Sequence, residues 1–320
     1  MNYKFRCALF VATLMASLEV FAQVYPIKPI KLVLPVPPGA GTDFVARLVS
    51  ERLQAGLGQP VIVEHRAGAG GNIGGETVYR APPDGYTLLL TGQGILVINR
   101  TLYSKINYDP DAFVPISILA SGLTILVVHP KVPANNLAQF ITYAKANPGK
   151  LNYASSGSGT IPHLAAELFN SLSGAKTVHV PYKGMAPGLA DVLGGQVELM
   201  FAGLSSALPQ AREGKLRMLA IGSEKRNPAL PDIPALAEQL PGFAAENWFG
   251  LLAPPATPLA IANRVSSVIA EAMKQPEVIK RLEAISLDAI GSTPAELTTL
   301  MKQESERWAK VIRATGAKAE

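Results

Sequence analysis

The residues best suited to chemistry in this chain are hydroxyls, amides and glycines gathered where apolar runs end. Pro38-Gly39-Ala40-Gly41-Thr42-Asp43 follows the run Lys31 to Val36 and precedes apolar residues at helical spacing, Phe44, Val45, Leu48, Val49 and Leu53, with Gly58 as the stop. Ser155-Ser156-Gly157-Ser158-Gly159-Thr160 ends a second run and leads through Ile161-Pro162 into His163, and Gly92-Gln93-Gly94 closes a third. The first turn of a helix carries peptide N–H groups without intrahelical partners at the positive end of the dipole. Glycines leave those groups uncovered, so such loops cradle a small anion without any charged side chain. Thr42 or Asp43 is expected as the helix N-cap, with Asp43 fixing the loop and not touching an anion that its carboxylate would repel. The four hydroxyls of Ser155, Ser156, Ser158 and Thr160 are expected to reach a ligand. His163, near a helix start where positive charge is disfavoured, is expected as a neutral hydrogen-bonding group. Tyr182 reads equally as a rim aromatic or a hydrogen-bond donor. Lys183 reads as a solvated charge, His129 and His179 as packing residues, and Trp248 as a hinge or cleft residue with core packing as its alternative.

Other chemistries lack their residues. A dinucleotide fingerprint begun at Gly68 meets Ile73 in its last place, and one begun at Gly92 meets Val97. Gly203-Leu204-Ser205-Ser206 ends in Ala207, which is no nucleophile elbow, and no phosphate-binding P-loop is present. Histidine pairs at metal-ligand spacing are absent, so neither a metal nor a cofactor is expected. The residual enzymatic reading is a periplasmic hydrolase using Ser155 or Ser158 with His163.

Of 320 residues, 48% are hydrophobic and 17% charged, enough to build a sizeable core in two lobes. The formal charge of +5 comes from scattered basic residues with few aromatics, which gives no stripe for a nucleic acid to follow. Lys4 and Arg6 precede an apolar run from Ala8 to Val20 that ends in Val20-Phe21-Ala22, the pattern of a secretory signal peptide over residues 1–22. The run is short for a membrane span, so a periplasmic mature chain is expected, and a monomer. The single cysteine, Cys7, falls inside that signal, which leaves no thiol to pair in an oxidising compartment.

From residue 23 onward apolar strands alternate with amphipathic helices. Strands are expected near 30–35, 60–64, 86–91, 124–129, 151–155, 177–182, 196–201, 216–222 and 247–252, in an α/β fold with mostly parallel sheets. Helices are expected over 136–147, from Ile161 with Leu164, Leu168 and Leu172 as its seam, and through most of the chain after Pro254. In open parallel sheets the strand C-termini lie along one edge, so these loops would form two facing jaws.

Several blocks resemble one family in particular: Tyr25-Pro26-Ile27-Lys28-Pro29-Ile30, Pro37 to Asp43, Gly68 to Gly74, Pro82-Pro83-Asp84-Gly85-Tyr86, Ala144 to Tyr153, Gly157 to Leu164, Val180-Pro181-Tyr182-Lys183-Gly184 and Leu193 to Val197. Their order is similar to that in the periplasmic receptors of tripartite tricarboxylate transporters, the TctC or Bug family. The resemblance implies a two-lobed binding protein of the type II, Venus-flytrap kind, with residues 23–123 and 246–320 in lobe one and 124–245 in lobe two. It further implies capture of a small carboxylic acid in the cleft and delivery to membrane permease subunits; presentation to a sensor protein is the alternative output. Pro38 to Asp43 would line the cleft from lobe one, and Ser155 to Thr160 with Tyr182 from lobe two. Departures are Ala40 for a usual glycine, His65 and Ala67 for a usual Asn and Pro, and Ala202 where an acid is frequent. The last favours a plain carboxylic acid over an amino acid.

Overall fold

The computed structural model describes residues 25–38 and 41–319; the expected signal peptide at 1–22, and Gly39 and Ala40 of the first loop, lie outside the described residues. The chain begins with β1 (Ile30–Leu34), α1 (Gly41–Leu57), β2 (Val61–His65), α2 (Asn72–Tyr79), β3 (Thr87–Gly92), α3 (Asn99–Leu102) and β4 (Val114–Gly122). There follow β5 (Thr124–Val128), α4 (Leu137–Ala146), β6 (Asn152–Ser155), α5 (Ile161–Ser173), β7 (Val178–Pro181), α6 (Met185–Leu193), β8 (Leu199–Gly203), α7 (Leu204–Arg212) and β9 (Arg217–Ile221). The last part holds β10 (Asn247–Ala253), α8 (Leu259–Ala272), α9 (Pro276–Glu283), β11 (Leu287–Ala289) and α10 (Pro294–Thr315).

Two sheets result, each flanked by helices, one per lobe: β11-β4-β10-β3-β1-β2 and β7-β6-β8-β5-β9. They are mixed, where the sequence pattern led to an expectation of mostly parallel sheets. β1 runs parallel to β2 and β3, and β6 parallel to β7 and β8, but β10, β4, β11, β5 and β9 all pair antiparallel. The reason lies in the crossings. A single residue, Leu123, joins β4 to β5, so the chain enters the second sheet directly instead of winding back through a helix, whereas the return from β9 to β10 is a long connection that includes the short 3-10 turn Leu236–Glu238.

The registers place the loops. β3 ends at Gly92 opposite Phe249 of antiparallel β10, and Asn247 at the start of β10 pairs with Gly122, where β4 ends. The chain therefore leaves lobe one on the edge where β3 and its parallel neighbour β1 end. In lobe two Thr124 pairs with Gly203, where β8 ends, and β6 runs parallel to β8. The C-terminal ends of β1 and β3 thus face those of β6 and β8 across the two crossings. Backbone bonds knit the junction: Leu204 N–H to Leu123 O at 3.0 Å, Gly222 N–H to Thr124 O at 2.6 Å, and Ala245 N–H to Gly222 O at 2.7 Å.

β1 is apolar on both faces because strand neighbours flank it and helices cover it; Ile30, Leu32, Val33 and Leu34 are buried. α1 buries Val45, Leu48, Val49, Leu53 and Leu57 against that sheet, and Gly58 N–H closes onto Gln54 O at 3.0 Å. The seam of α5 differs from the expectation: Leu164, Leu168 and Phe169 are buried, whereas Leu172 points outward. α10 opens on a reciprocal cap, with Thr293 Oγ1 accepting from Glu296 N–H at 3.3 Å and Glu296 Oε2 accepting from Thr293 N–H at 2.7 Å. It packs on β4 and also on α5, so the end of the chain bridges both lobes in place of covering the first sheet alone.

Candidate functional site: the facing strand-end loops

The lobe-one loop after β1 leaves Pro38 exposed, and α1 begins at Gly41, so Thr42 and Asp43 lie inside its first turn and neither is the N-cap. A Cβ added to Gly41 would meet nothing within 4 Å. Asp43 is buried and braces the loop from behind. Its Oδ2 accepts from Arg47 Nε at 3.2 Å, and its Oδ1 stands 3.2 Å from His65 Nε2. His65 Nδ1 donates to Val36 O at 2.9 Å, so one side chain from the end of β2 is tied to one limb of the loop and faces the other. The sequence singled out His65 only as a departure from a usual Asn; its reach to Val36 and Asp43 needed the parallel pairing of β1 with β2 to be seen.

Gly92 is half-buried and Gln93 is buried at the end of β3. Gln93 Nε2 donates to Glu246 O at 3.0 Å, tying this loop to the segment that returns from lobe two. Its Oε1 meets no donor among the described residues.

In lobe two the loop after β6 folds on itself. Ser155 is fully buried; Gly157 N–H donates to its Oγ at 3.1 Å and Thr160 Oγ1 donates to Gly157 O at 2.7 Å. Ser155 Oγ lies 2.6 Å from His179 Nε2, so its hydroxyl is spent inside the protein and the residue supports the loop without lining it. Ser155 thus meets His179 and not His163, its partner in the alternative hydrolase reading. Ser156, Gly157, Ser158 and Thr160 are half-buried and face outward in part. Gly159 carries a φ of +80° and leans on lobe one so closely that a Cβ would strike the Leu102 side chain, a conformation and a contact that only glycine permits. The two loops are thereby brought to opposite sides of one junction.

His163 is buried, and Gly159 N–H donates to its Nδ1 at 3.0 Å; burial first and then the neighbouring His179 lower its pKa to about 4, and burial lowers that of His179 to about 4. A neutral, hydrogen-bonding His163 is what the helix position led us to expect, though desolvation is the larger cause. His179 is no mere packing residue. Tyr182 donates its hydroxyl to Asp191 Oδ2 at 2.5 Å, and burial, then Asp191, push its pKa up to about 12, so it presents a ring edge with an engaged hydroxyl. Lys183 is exposed. Ala202 is enclosed in the lobe-two core opposite Ile125, so its methyl lines no cleft and the identity of that residue says nothing about an amino group on a ligand.

A separate cavity of about 560 Å³ lies beside the crossings, with Trp248, Glu224, Glu246, Glu304, Lys225 and Arg307 in its wall and none of the loop residues. Burial raises the pKa of Glu246, Arg307 works against the rise, and Glu224, Glu304 and Asp288 add to it. Three carboxylates against two cations, one of which, Arg307, already pairs with Glu304 at 2.6 Å, make a poor receptor for an anion. Among the described residues no group of three or more acidic, His or Cys side chains could hold a metal, and no helix is long and apolar enough to cross a membrane.

Comparison with known proteins agrees with this arrangement. The model of the tripartite tricarboxylate transporter family receptor matches residues 45–317. The chain is 37% identical to protein BugT of Bordetella pertussis over 97% of this chain and 96% of that one. It superposes on an R. palustris protein solved with adipate at a TM-score of 0.84 and 33% identity, covering 92% of this chain and all of the other. MatC of Rhodopseudomonas palustris, solved with bound malate, gives 0.80 and 32% over 90% of this chain and all of that one. With its two lobes, its mixed sheets and a match spanning nearly its whole length, the chain belongs to the tripartite tricarboxylate transporter receptor family of periplasmic solute-binding proteins.

Proposed function

We propose that this protein captures a small carboxylic acid between its lobes and hands it, unaltered, to a membrane permease. The observation that carries the reading is the convergence of the β1, β3, β6 and β8 ends on one junction, with the helix start at Gly41 on one side and the serine loop on the other. Two structural neighbours hold adipate and malate, and the family is that of a transporter receptor, which supports both the ligand class and the partner. Residues 25–123 and 246–319 act as one jaw and 124–245 as the other, turning about the crossings at Leu123 and Gly222 to Ala245. An export signal at residues 1–22 fits this role.

Pro38 to Thr42 and Gln93 serve lobe one; Ser156, Gly157, Ser158 and Thr160 serve lobe two, with Tyr182 at the rim. A micromolar dissociation constant corresponds to ~8 kcal/mol. Helix termini supply ~0.3–1 kcal/mol each, so direct hydrogen bonds, bridging waters and burial of the solute must provide most of it. A solute touching both jaws binds the closed state better than the open one, and that difference alone drives closure.

A thermal-shift and calorimetric screen of mono-, di- and tricarboxylic acids, with aspartate and glutamate included, tests the proposal, because binding to the folded state alone raises Tm. Mass spectrometry should recover the acid unchanged. Thr42→Val, through one lost hydrogen bond worth ~0.5–1.5 kcal/mol, and Ser155→Ala, through loss of the order its buried hydroxyl gives the loop, are each expected to weaken binding about tenfold without unfolding the chain. A panel with no binder overturns the function; two variants with wild-type affinity overturn the site.

A further inference from the structure

Directly behind the lobe-two loop stand two imidazoles that no solute would touch. His163, in the first turn of α5, and His179, on β7, stack with ring centroids 4.1 Å apart and planes 15° from parallel, and Tyr153 of β6 lies on His179 at 4.9 Å. Each ring holds one end of the loop. Gly159 N–H meets His163 Nδ1 at 3.0 Å, and Ser155 Oγ meets His179 Nε2 at 2.6 Å.

The direction of the first bond is forced. A peptide N–H can only donate, so His163 Nδ1 carries no proton and the ring is neutral with its proton on Nε2. A second proton would set N–H against N–H and lift Gly159 away. It would also place a cation against a second imidazole, and the Glu167 carboxylate beside Tyr153 already accepts the Tyr153 hydroxyl at 2.5 Å. On a doubly protonated His179, Nε2 can only donate, which leaves the Ser155 hydroxyl to Gly157 O, 3.2 Å away.

We infer that His163 and His179 are positioning residues for solute capture, and that protonating their stack frees the lobe-two loop, so that the grip on solute weakens in acid. The inference rests on the carboxylate-receptor reading for its consequence, but the loop device itself needs no solute. Burial holds both rings neutral at pH 7. Because their pKa in the folded chain lies below the ordinary histidine value, the ordered loop is fully favoured above about pH 6.5 and is progressively lost as pH falls toward about 4. The change therefore belongs to the acid side and not to the alkaline side.

The test compares the wild-type chain with the double variant His163→Gln, His179→Gln, whose amides keep an acceptor and a donor but stay uncharged at every pH. Amide hydrogen exchange across residues 155–160, corrected for intrinsic rate, is followed in the solute-free protein at pH 7 and pH 4.5. Protection in the wild type should fall at least about tenfold at the lower pH and stay level in the double variant. Nitrogen chemical shifts of the His163 ring should show Nδ1 bare at pH 7. Equal protection at both pH values in the wild type, or a doubly protonated His163 at pH 7, overturns the inference; these two measurements decide it even if the double variant fails to fold. For an acid found to bind, the wild-type affinity should drop more steeply with acid than that of the double variant, a comparison in which protonation of the solute itself cancels. Absence of any binder defeats the receptor reading and leaves the exchange result standing.

Discussion

In the proposed site Asp43 would serve a ligand without touching it. A carboxylate facing an anionic solute would repel it, but here the group is buried and turned away, held by Arg47 at 3.2 Å and facing His65 at 3.2 Å. His65 then carries the connection to Val36 O, so the two limbs of the lobe-one loop share one imidazole. Hydrogen bonds involving charged groups are worth ~1.5–3 kcal/mol when partly buried. His65→Ala is accordingly expected to weaken solute binding about ten- to a hundredfold through loss of loop order, with the lobe-two loop unaffected; calorimetry together with amide exchange over residues 36–43 checks both parts. Binding unchanged in that variant would mean that the loop is ordered by its prolines alone. Ser155 and Ala202 make the same point from lobe two: both are adjacent to the cleft in sequence and enclosed in the structure.

At the scale of elements, the crossings decide what can move. Gly222 donates to Thr124 O and accepts from Ala245 N–H, so the outgoing and returning strands meet at one residue without a side chain. A Cβ there would come within 3.1 Å of Thr124 O and 3.3 Å of Ala245 O, both backbone atoms that cannot step aside like a flexible side chain. Gly222→Val is expected to cost about 1–3 kcal/mol of stability and to spread the crossings, lowering Tm and solute affinity together. Thermal denaturation and calorimetry on the same samples test this; a variant with native Tm and affinity would show that the junction has slack. β4 is the element the sequence pattern hid. Pro115 and the serines break its apolar run, and the strand tolerates them because Pro115 lies near its start, beside the register shift opposite Leu251 and Leu252. β11, three residues long, offers no pattern to read.

For the molecule as a whole, α10 rests on both lobes and Gly159 rests on Leu102; the proposed closure would be a rotation about the crossings with these contacts as its stops. Small-angle scattering is expected to show a smaller radius of gyration on adding a binding acid and no change with a non-binding one; an identical profile in both would exclude closure as the response to solute. Much of this was legible in the residues themselves. Local rules sufficed for the helix start at Ile161 and the helices after Pro254, for nine of the strands and for the glycine and hydroxyl loops, because capping, apolar spacing and turn chemistry act over a few neighbours. Ordered blocks from Tyr25 to Val197 sufficed for the family. Strand direction, the sharing of Ser155 with His179, the bracing of Asp43 by His65 and the stacking of two histidines sixteen positions apart were decided only by the tertiary structure. Each depends on which distant strands lie side by side, and pairing between remote segments is set by how the whole chain buries its apolar surface, a quantity that no local stretch of residues contains.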